Sequence, residues 1–155
     1  MYFVPAIFVE ISLLVDFFST LSFMKTIEVV AGVIVDESPD GSKKFLATQR
    51  GYGDFKGGWE FPGGKTEPGE TPEQALAREL KEELTVDVKV GEFITTVEHD
   101  YPGRHITMHC YFCEIVGGEP TLLEHESARW LSKQELRSVD WLPADVAVVT
   151  ALESQ

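Results

Sequence analysis

Three features of this 155-residue chain predict an α/β (α+β) fold in one domain, a mixed β-sheet flanked by helices. Ile27–Val35 is an almost unbroken apolar, β-branched run, suited to a strand covered on both faces. Thr71 opens a segment with the marks of a capped helix. Beyond it, Val86–His99 and His105–Ile115 have strand character and are joined by a Tyr101-Pro102-Gly103 turn.

Residues 1–23, MYFVPAIFVEISLLVDFFSTLSF, form an N-terminal hydrophobic extension set apart from the domain expected at 24–155. They contain no Lys or Arg, so a signal peptide would lack its basic start. Glu10 and Asp16 interrupt the apolar stretch, and a charge in mid-bilayer is costly. The preferred reading is an upstream start site that appends a non-native or accessory segment. Its rival is a peripheral membrane-binding or partner-binding helix.

The remaining elements follow in order. Ser38-Pro39-Asp40-Gly41 turns the chain into a second strand over Lys44–Thr48. A loop bearing Gly51, Gly53, Gly57 and Gly58 leads to a short strand, Trp59-Glu60-Phe61, ending at Pro62-Gly63-Gly64. In the helix, Thr71 is the N-cap, Pro72 takes the first position, and Gln74 completes a T-x-x-Q capping box. Good helix formers fill Ala75–Leu84. After Gly117-Gly118, Ala128–Leu131 reads as a strand. Ser132 caps a helix to about Arg137, and a last helix spans roughly Pro143–Leu152.

Composition excludes some partners. Thirteen basic residues against 26 acidic ones give a net charge of −13, which opposes binding to a nucleic-acid polymer. Phosphates remain accessible to such a chain wherever cations or a few basic side chains reverse the sign locally. Cys110 and Cys113 form a C-x-x-C without a second pair, in a run that would point them to opposite faces of a strand. They read as buried core thiols, in keeping with a reducing cytoplasm.

On a helical wheel, Leu76, Leu80, Leu84 and Ala77 span an arc of about 100° that should be buried. Glu79, Glu82 and Glu83 share an adjacent arc. A solvated acidic face is the ordinary explanation of such charges. Here, however, the carboxylates repel one another at i, i+3 and i+4, Lys81 projects away, and two of them face the unfavourable end of the helix dipole. Hard divalent cations would turn that repulsion into a binding site, since Mg²⁺ prefers oxygen ligands.

The spacing around that cluster, Gly64, five residues, Glu70, seven residues, then Arg78-Glu79-Leu80-Lys81-Glu82-Glu83, resembles the Nudix box. Thr85 stands where the box has its last glycine, and Val86 supplies the final aliphatic. From Lys25 to Leu152 the chain is similar to the MutT branch, through Thr48-Gln49-Arg50, Trp59–Lys65, Gly69–Ala75, Arg104–Thr107, and Gly118-Glu119-Pro120 with Glu124 before Trp130. The resemblance implies a Nudix-type α/β/α sandwich and a hydrolase; the chain is expected to be cytoplasmic and either a monomer or a homodimer. It would cleave nucleoside triphosphates to the monophosphate and pyrophosphate, with Mg²⁺ or Mn²⁺ as cofactor.

Carried over by position, the resemblance implies metal ligation by Glu79, Glu82, Glu83, Glu124 and the Gly64 carbonyl. Arg78 would hold the glutamates, and Glu70 would support the loop or bridge to metal-bound water. Arg50, Arg104 and Lys65 would contact the substrate, with surface salt bridges as their alternative role. His105 reads as structural. Trp141-Leu142-Pro143-Ala144-Asp145 is similar to the segment carrying the base-reading Asn of MutT, so Asp145 is either a base reader or the N-cap of the last helix. Phe61 or Trp141 would stack on a base or lie in the core.

The leading expectation is an enzyme that removes 8-oxo-dGTP from the nucleotide pool. A CTP or modified-dCTP pyrophosphohydrolase comes next because of Asp145, followed by a nucleotide-sugar or ADP-ribose hydrolase. A catalytically silent nucleotide sensor is the alternative outside enzymology. RNA decapping is disfavoured by the negative charge. Water would attack the β-phosphorus, with Glu79 or Glu124 as general base.

Overall fold

The computed structural model describes residues 24–155; the expectations for residues 1–23 lie outside it. Seven strands form one mixed sheet. They are β1 (Lys25–Glu37), β2 (Lys43–Arg50), β3 (Trp59–Glu60), β4 (Gly63–Lys65), β5 (Asp87–Tyr101), β6 (Arg104–Gly117) and β7 (His125–Ser132). The path runs β3-β2-β1-β6-β5, with β4 added to β1 and β7 to β2. Strand β1 lies parallel to β6, from Lys25 opposite Arg104 to Ile34 opposite Cys113, and every other pairing is antiparallel.

Alternation along β1 builds two cores. Val30 and Ile34 face the helix α1 (Pro72–Leu84), packing with Leu76, Leu80, Leu84 and Val86. Ala31 and Val33 face the opposite side, where α2 (Pro143–Glu153) contributes Val148, Val149 and Leu152. The expected helix–sheet–helix layering is present. Cys110 falls in the second core and Cys113 in the first, both unpaired, and burial pushes each thiol up to about 12. Among the described residues no helix is long and apolar enough to cross a membrane.

Local signals and structure agree closely at the start of α1. Thr71 Oγ1 accepts from the Gln74 N–H at 3.2 Å, and the Gln74 side chain accepts from the Thr71 N–H at 3.0 Å. The buried face differs slightly from the wheel, with Ala75 buried and Ala77 only half-buried. Thr85 closes the helix in the left-handed conformation, φ 60° and ψ 27°, its N–H bonded to the Lys81 carbonyl. Residues 133–138 form a 3-10 helix, the tighter geometry used in short pieces.

Strand β4 has no signal in the sequence, because Gly-Gly lacks strand propensity. It forms through close approach. A Cβ on Gly63 would sit 1.9 Å from the Val30 carbonyl oxygen, so only glycine lets this strand lie against β1.

Candidate active site

The close approach of β4 to β1 sets the floor of a cleft. Beside it, a Cβ on Gly64 would come within 2.4 Å of the Glu79 carboxylate, so Glu79 rests directly against the loop backbone. Arg78, the preceding residue, grips Glu70 with two 2.8 Å bonds and reaches Glu79 at 2.9 Å, the Lys65 carbonyl at 3.1 Å and Glu82 at 3.4 Å. One guanidinium thereby ties the loop to the helix, and its hydrogen bonds to Glu70 hold that carboxyl below its usual range. Arg78 thus supplies the acidic face with the cation that Lys81 does not.

The glutamates differ in setting. Glu82 is exposed. Glu79 is pushed up by burial, partly offset by Arg78. Glu83 is pushed up to about 8, first by burial and then by the neighbouring charges of Glu79, Glu124 and Glu60. Its Oε2 is buried without a hydrogen-bond partner. An all-oxygen set that includes one unpartnered buried carboxylate oxygen fits a hard divalent ion. Among the described residues, no three acidic, histidine or cysteine side chains already converge at ligand distances.

Glu79 and Glu83 line a cleft of about 580 Å³ together with Gly64, Lys65, Arg50, Arg104, Glu124, Phe61 and Asp145. That volume suits a small ligand. A larger hollow of about 1690 Å³ between the β1–β2 turn and the β6–β7 connection contains none of the candidate residues and is too open to define a ligand. Arg78, Glu70 and Glu82 stand behind or beside the cleft wall.

The two cleft arginines are tethered. Arg50 pairs with Glu60 at 2.9 Å and donates to the Asp54 carbonyl at 3.1 Å. Arg104 lies 3.5 Å from the Asp54 carboxylate and 5.7 Å from the Tyr101 ring centroid. Glu124 accepts from the Tyr52 hydroxyl at 3.2 Å. The glycine-rich loop that supplies Tyr52 and Asp54 therefore forms one wall of the cleft.

At the apolar end, Phe61 is 4% exposed and stacked on Trp141 at 4.5 Å. Asp145 is likewise 4% exposed, and its Oδ1 accepts from the Phe61 backbone N–H at 2.8 Å. Burial pushes its carboxyl up to about 8. Its reading as a helix cap fails, because Leu142 is the N-cap of α2 and the Asp145 carboxylate reaches across to another segment. His105 lies off the cleft, clamped by Asp100 at 2.5 Å and Glu98 at 2.6 Å, which raise its pKa.

Sequence reasoning missed Glu60, Tyr52 and His125. Glu60 had a readable signal, a lone acid between two aromatics in a strand. Tyr52 and His125 had none, since neither belongs to a periodic pattern and their partners lie far along the chain.

A model of the NUDIX domain matches residues 26–152. The CTP pyrophosphohydrolase of Escherichia coli K12 is 39% identical over 128 residues, covering 83% of this chain and 92% of the relative. The 8-oxo-dGTP diphosphatase of the same bacterium is 34% identical over 130 residues, covering 84% and 98%. The solution structure of the E. coli ORF135 protein superposes with a TM-score of 0.70 at 36% identity, over 84% of this chain and 91% of that one. Glu79, Glu82 and Glu83 thus lie within a domain matched along nearly its whole length, and the chain belongs to the Nudix hydrolase family.

Proposed function

We propose that the chain hydrolyses nucleoside triphosphates to the monophosphate and pyrophosphate, with oxidised guanine, as in 8-oxo-dGTP, as the preferred base. The observation that carries a base-reading role is the buried Asp145. A carboxyl held near 8 is largely protonated at neutral pH, and a protonated carboxyl offers one acceptor and one donor, like an amide. Asp145 therefore presents the same pair of functions as the asparagine to which its segment is similar. The name of one relative, an 8-oxo-dGTP diphosphatase, accords with this reading.

Cytosine is the second reading, favoured by the CTP pyrophosphohydrolase relative at 39% identity. A donor–acceptor pair also complements the N3 and amino group of cytosine.

Glu79, Glu83 and Glu124, with the Gly64 carbonyl and the exposed Glu82, are the oxygens suited to hold Mg²⁺ or Mn²⁺. Bound there, such ions would neutralise phosphate charge and acidify a water molecule. Arg50, Arg104 and Lys65 bring positive charge to the same cleft for the phosphate chain. Arg78 fixes Glu79 against Gly64, keeping it within reach of a water directed at the β-phosphorus; the nucleoside monophosphate oxygen leaves. Glu79 and Glu124 both line the cleft, and either is suited to take the proton from water.

The test is kcat/KM for 8-oxo-dGTP, dGTP, CTP and 5-methyl-dCTP, measured as pyrophosphate release with Mg²⁺, for the natural chain and Asp145→Asn. Preference for 8-oxo-dGTP that survives in the Asn variant supports the reading. Preference for a cytosine nucleotide selects the second reading, and absence of turnover with all four removes both.

A further inference from the structure

His125 is the residue that the expected chemistry leaves unexplained. It sits opposite Arg50 in the β2–β7 ladder, just past the irregularity between Gln49 and Arg50. Such irregularities re-aim side chains. The imidazole is 95% buried, its exposure being 5%. Its Nδ1 has no hydrogen-bond partner. Its Nε2 stands 3.6 Å from Glu60 Oε1 and 4.0 Å from Glu83 Oε2. Both separations exceed a hydrogen bond.

Glu83 Oε2 is the other buried side-chain oxygen or nitrogen lacking a partner among the described residues. The two orphans thus belong to neighbouring side chains, one on β7 and one on α1. Glu60, on the other side of the imidazole, is held by Arg50. Ring, carboxylates and guanidinium form a continuous row from the metal-binding helix to a phosphate-binding arm. The backbone on which the ring is mounted is also fixed. A Cβ on Gly51 would lie 2.4 Å from the Glu124 carbonyl oxygen, so the chain passes Gly51 in contact.

A space-filling histidine would be indifferent to which atoms surround it. This one turns Nε2 toward two carboxylates in a water-poor setting; Arg50 serves Glu60, but an apolar ring would leave Glu83 Oε2 with no nearby donor at all. Carboxylates that hold metals are commonly oriented by such a second partner.

We propose that His125 is a positioning residue: its buried N–H orients the Glu83 carboxylate for dication binding and keeps it aligned with the Arg50–Glu60 pair. This rests on the metal-dependent hydrolase reading above. It assigns His125 no direct contact with substrate.

Three full-length variants test it. His125→Phe keeps the ring volume and removes the donor. His125→Gln places an amide N–H near the position of Nε2. His125→Ala opens the site. Mn²⁺ binding is read by electron paramagnetic resonance of the free ion, independently of turnover, and kcat and KM are measured with Mg²⁺. Thermal melting follows each variant's fold. The expected result is that Phe and Ala weaken Mn²⁺ binding and lower kcat by about 10- to 100-fold. KM should change little, and Gln should restore most of both.

Unaltered Mn²⁺ binding and kcat in a folded His125→Phe would overturn the proposal while leaving the hydrolase reading intact. Failure of Gln to rescue, with losses that follow the drop in melting temperature, would also overturn it, making His125 a packing residue. A natural chain that neither binds Mn²⁺ nor hydrolyses any triphosphate would remove the hydrolase reading itself, and the proposal with it.

Discussion

The Asp145 carboxylate accepts a 2.8 Å hydrogen bond from the backbone N–H of Phe61, joining two residues 84 positions apart, each 4% exposed. Burial dominates its proton affinity and carries it from 3.8 to about 8. Below pH 3.8 the acid is protonated in folded and unfolded chains alike, and its contribution to stability is fully present. As the pH rises toward 8, the unfolded chain gains by ionising while the folded chain keeps its proton, so that contribution is progressively lost. Asp145→Asn keeps an acceptor for Phe61 and has no proton to lose. The variant should therefore melt higher than the natural chain at pH 8, with the gap closing toward pH 4. Each kcal/mol recovered corresponds to about 2–4 °C. Parallel melting curves across that range would show that Asp145 is ionised in the folded state.

Thr85 offers a second stability experiment. It ends α1 at φ 60°, a conformation costly for a β-branched residue and cheap for glycine. The N–H bond to the Lys81 carbonyl does not depend on the side chain. Thr85→Gly should stabilise the protein by about 1 kcal/mol, or about 2–4 °C in Tm, with kcat unchanged. A lower Tm would mean that the threonine side chain contributes more than its backbone conformation costs.

The acidic helix was legible because its signals are local. Cap, buried stripe and carboxylate spacing all lie between Thr71 and Leu84, and each can be checked within a few turns. The alternation that sends Cys110 and Cys113 to opposite faces was legible for the same reason. Strand β4 was not, because its pairing depends on a glycine passing under the Val30 carbonyl. The role of Asp145 was open because its partner, Phe61, lies on a different element. His125 was silent because its place is set by a ladder irregularity. Long-range contacts chose among options that local chemistry had left equal.

Gly64 tests how tightly the loop and helix must fit. A methyl group there would meet the Glu79 carboxylate at 2.4 Å, while Arg78 holds that carboxylate from the other side. Gly64→Ala should therefore displace Glu79 without unfolding the sheet. Misplacement of about 1 Å is enough to reduce kcat by about 100-fold. Steady-state kinetics alongside circular dichroism check this. Retained turnover would mean that Glu79 shifts freely and that its observed position is not the working one.

Glu83 and Glu82 should separate binding from exposure. Glu83 is pushed up to about 8 and its Oε2 has no partner, so a dication at the cleft would favour its ionised form and give that oxygen a partner. Saturating Mg²⁺ should raise the Tm of the natural chain, the gain being about 2.7 kcal/mol at 100 times Kd, and EDTA should reverse it. Glu83→Gln removes the group that would ionise against the metal. This variant should fold at least as stably without metal, lose most of the Mg²⁺-dependent shift and lose turnover by orders of magnitude. Glu82→Gln, at an exposed position, should leave the metal-free Tm unchanged and still reduce turnover strongly. Differential scanning calorimetry with and without Mg²⁺ reads both variants. A full Mg²⁺ shift in Glu83→Gln would place the ion elsewhere and leave the buried carboxylate without a metal-binding role.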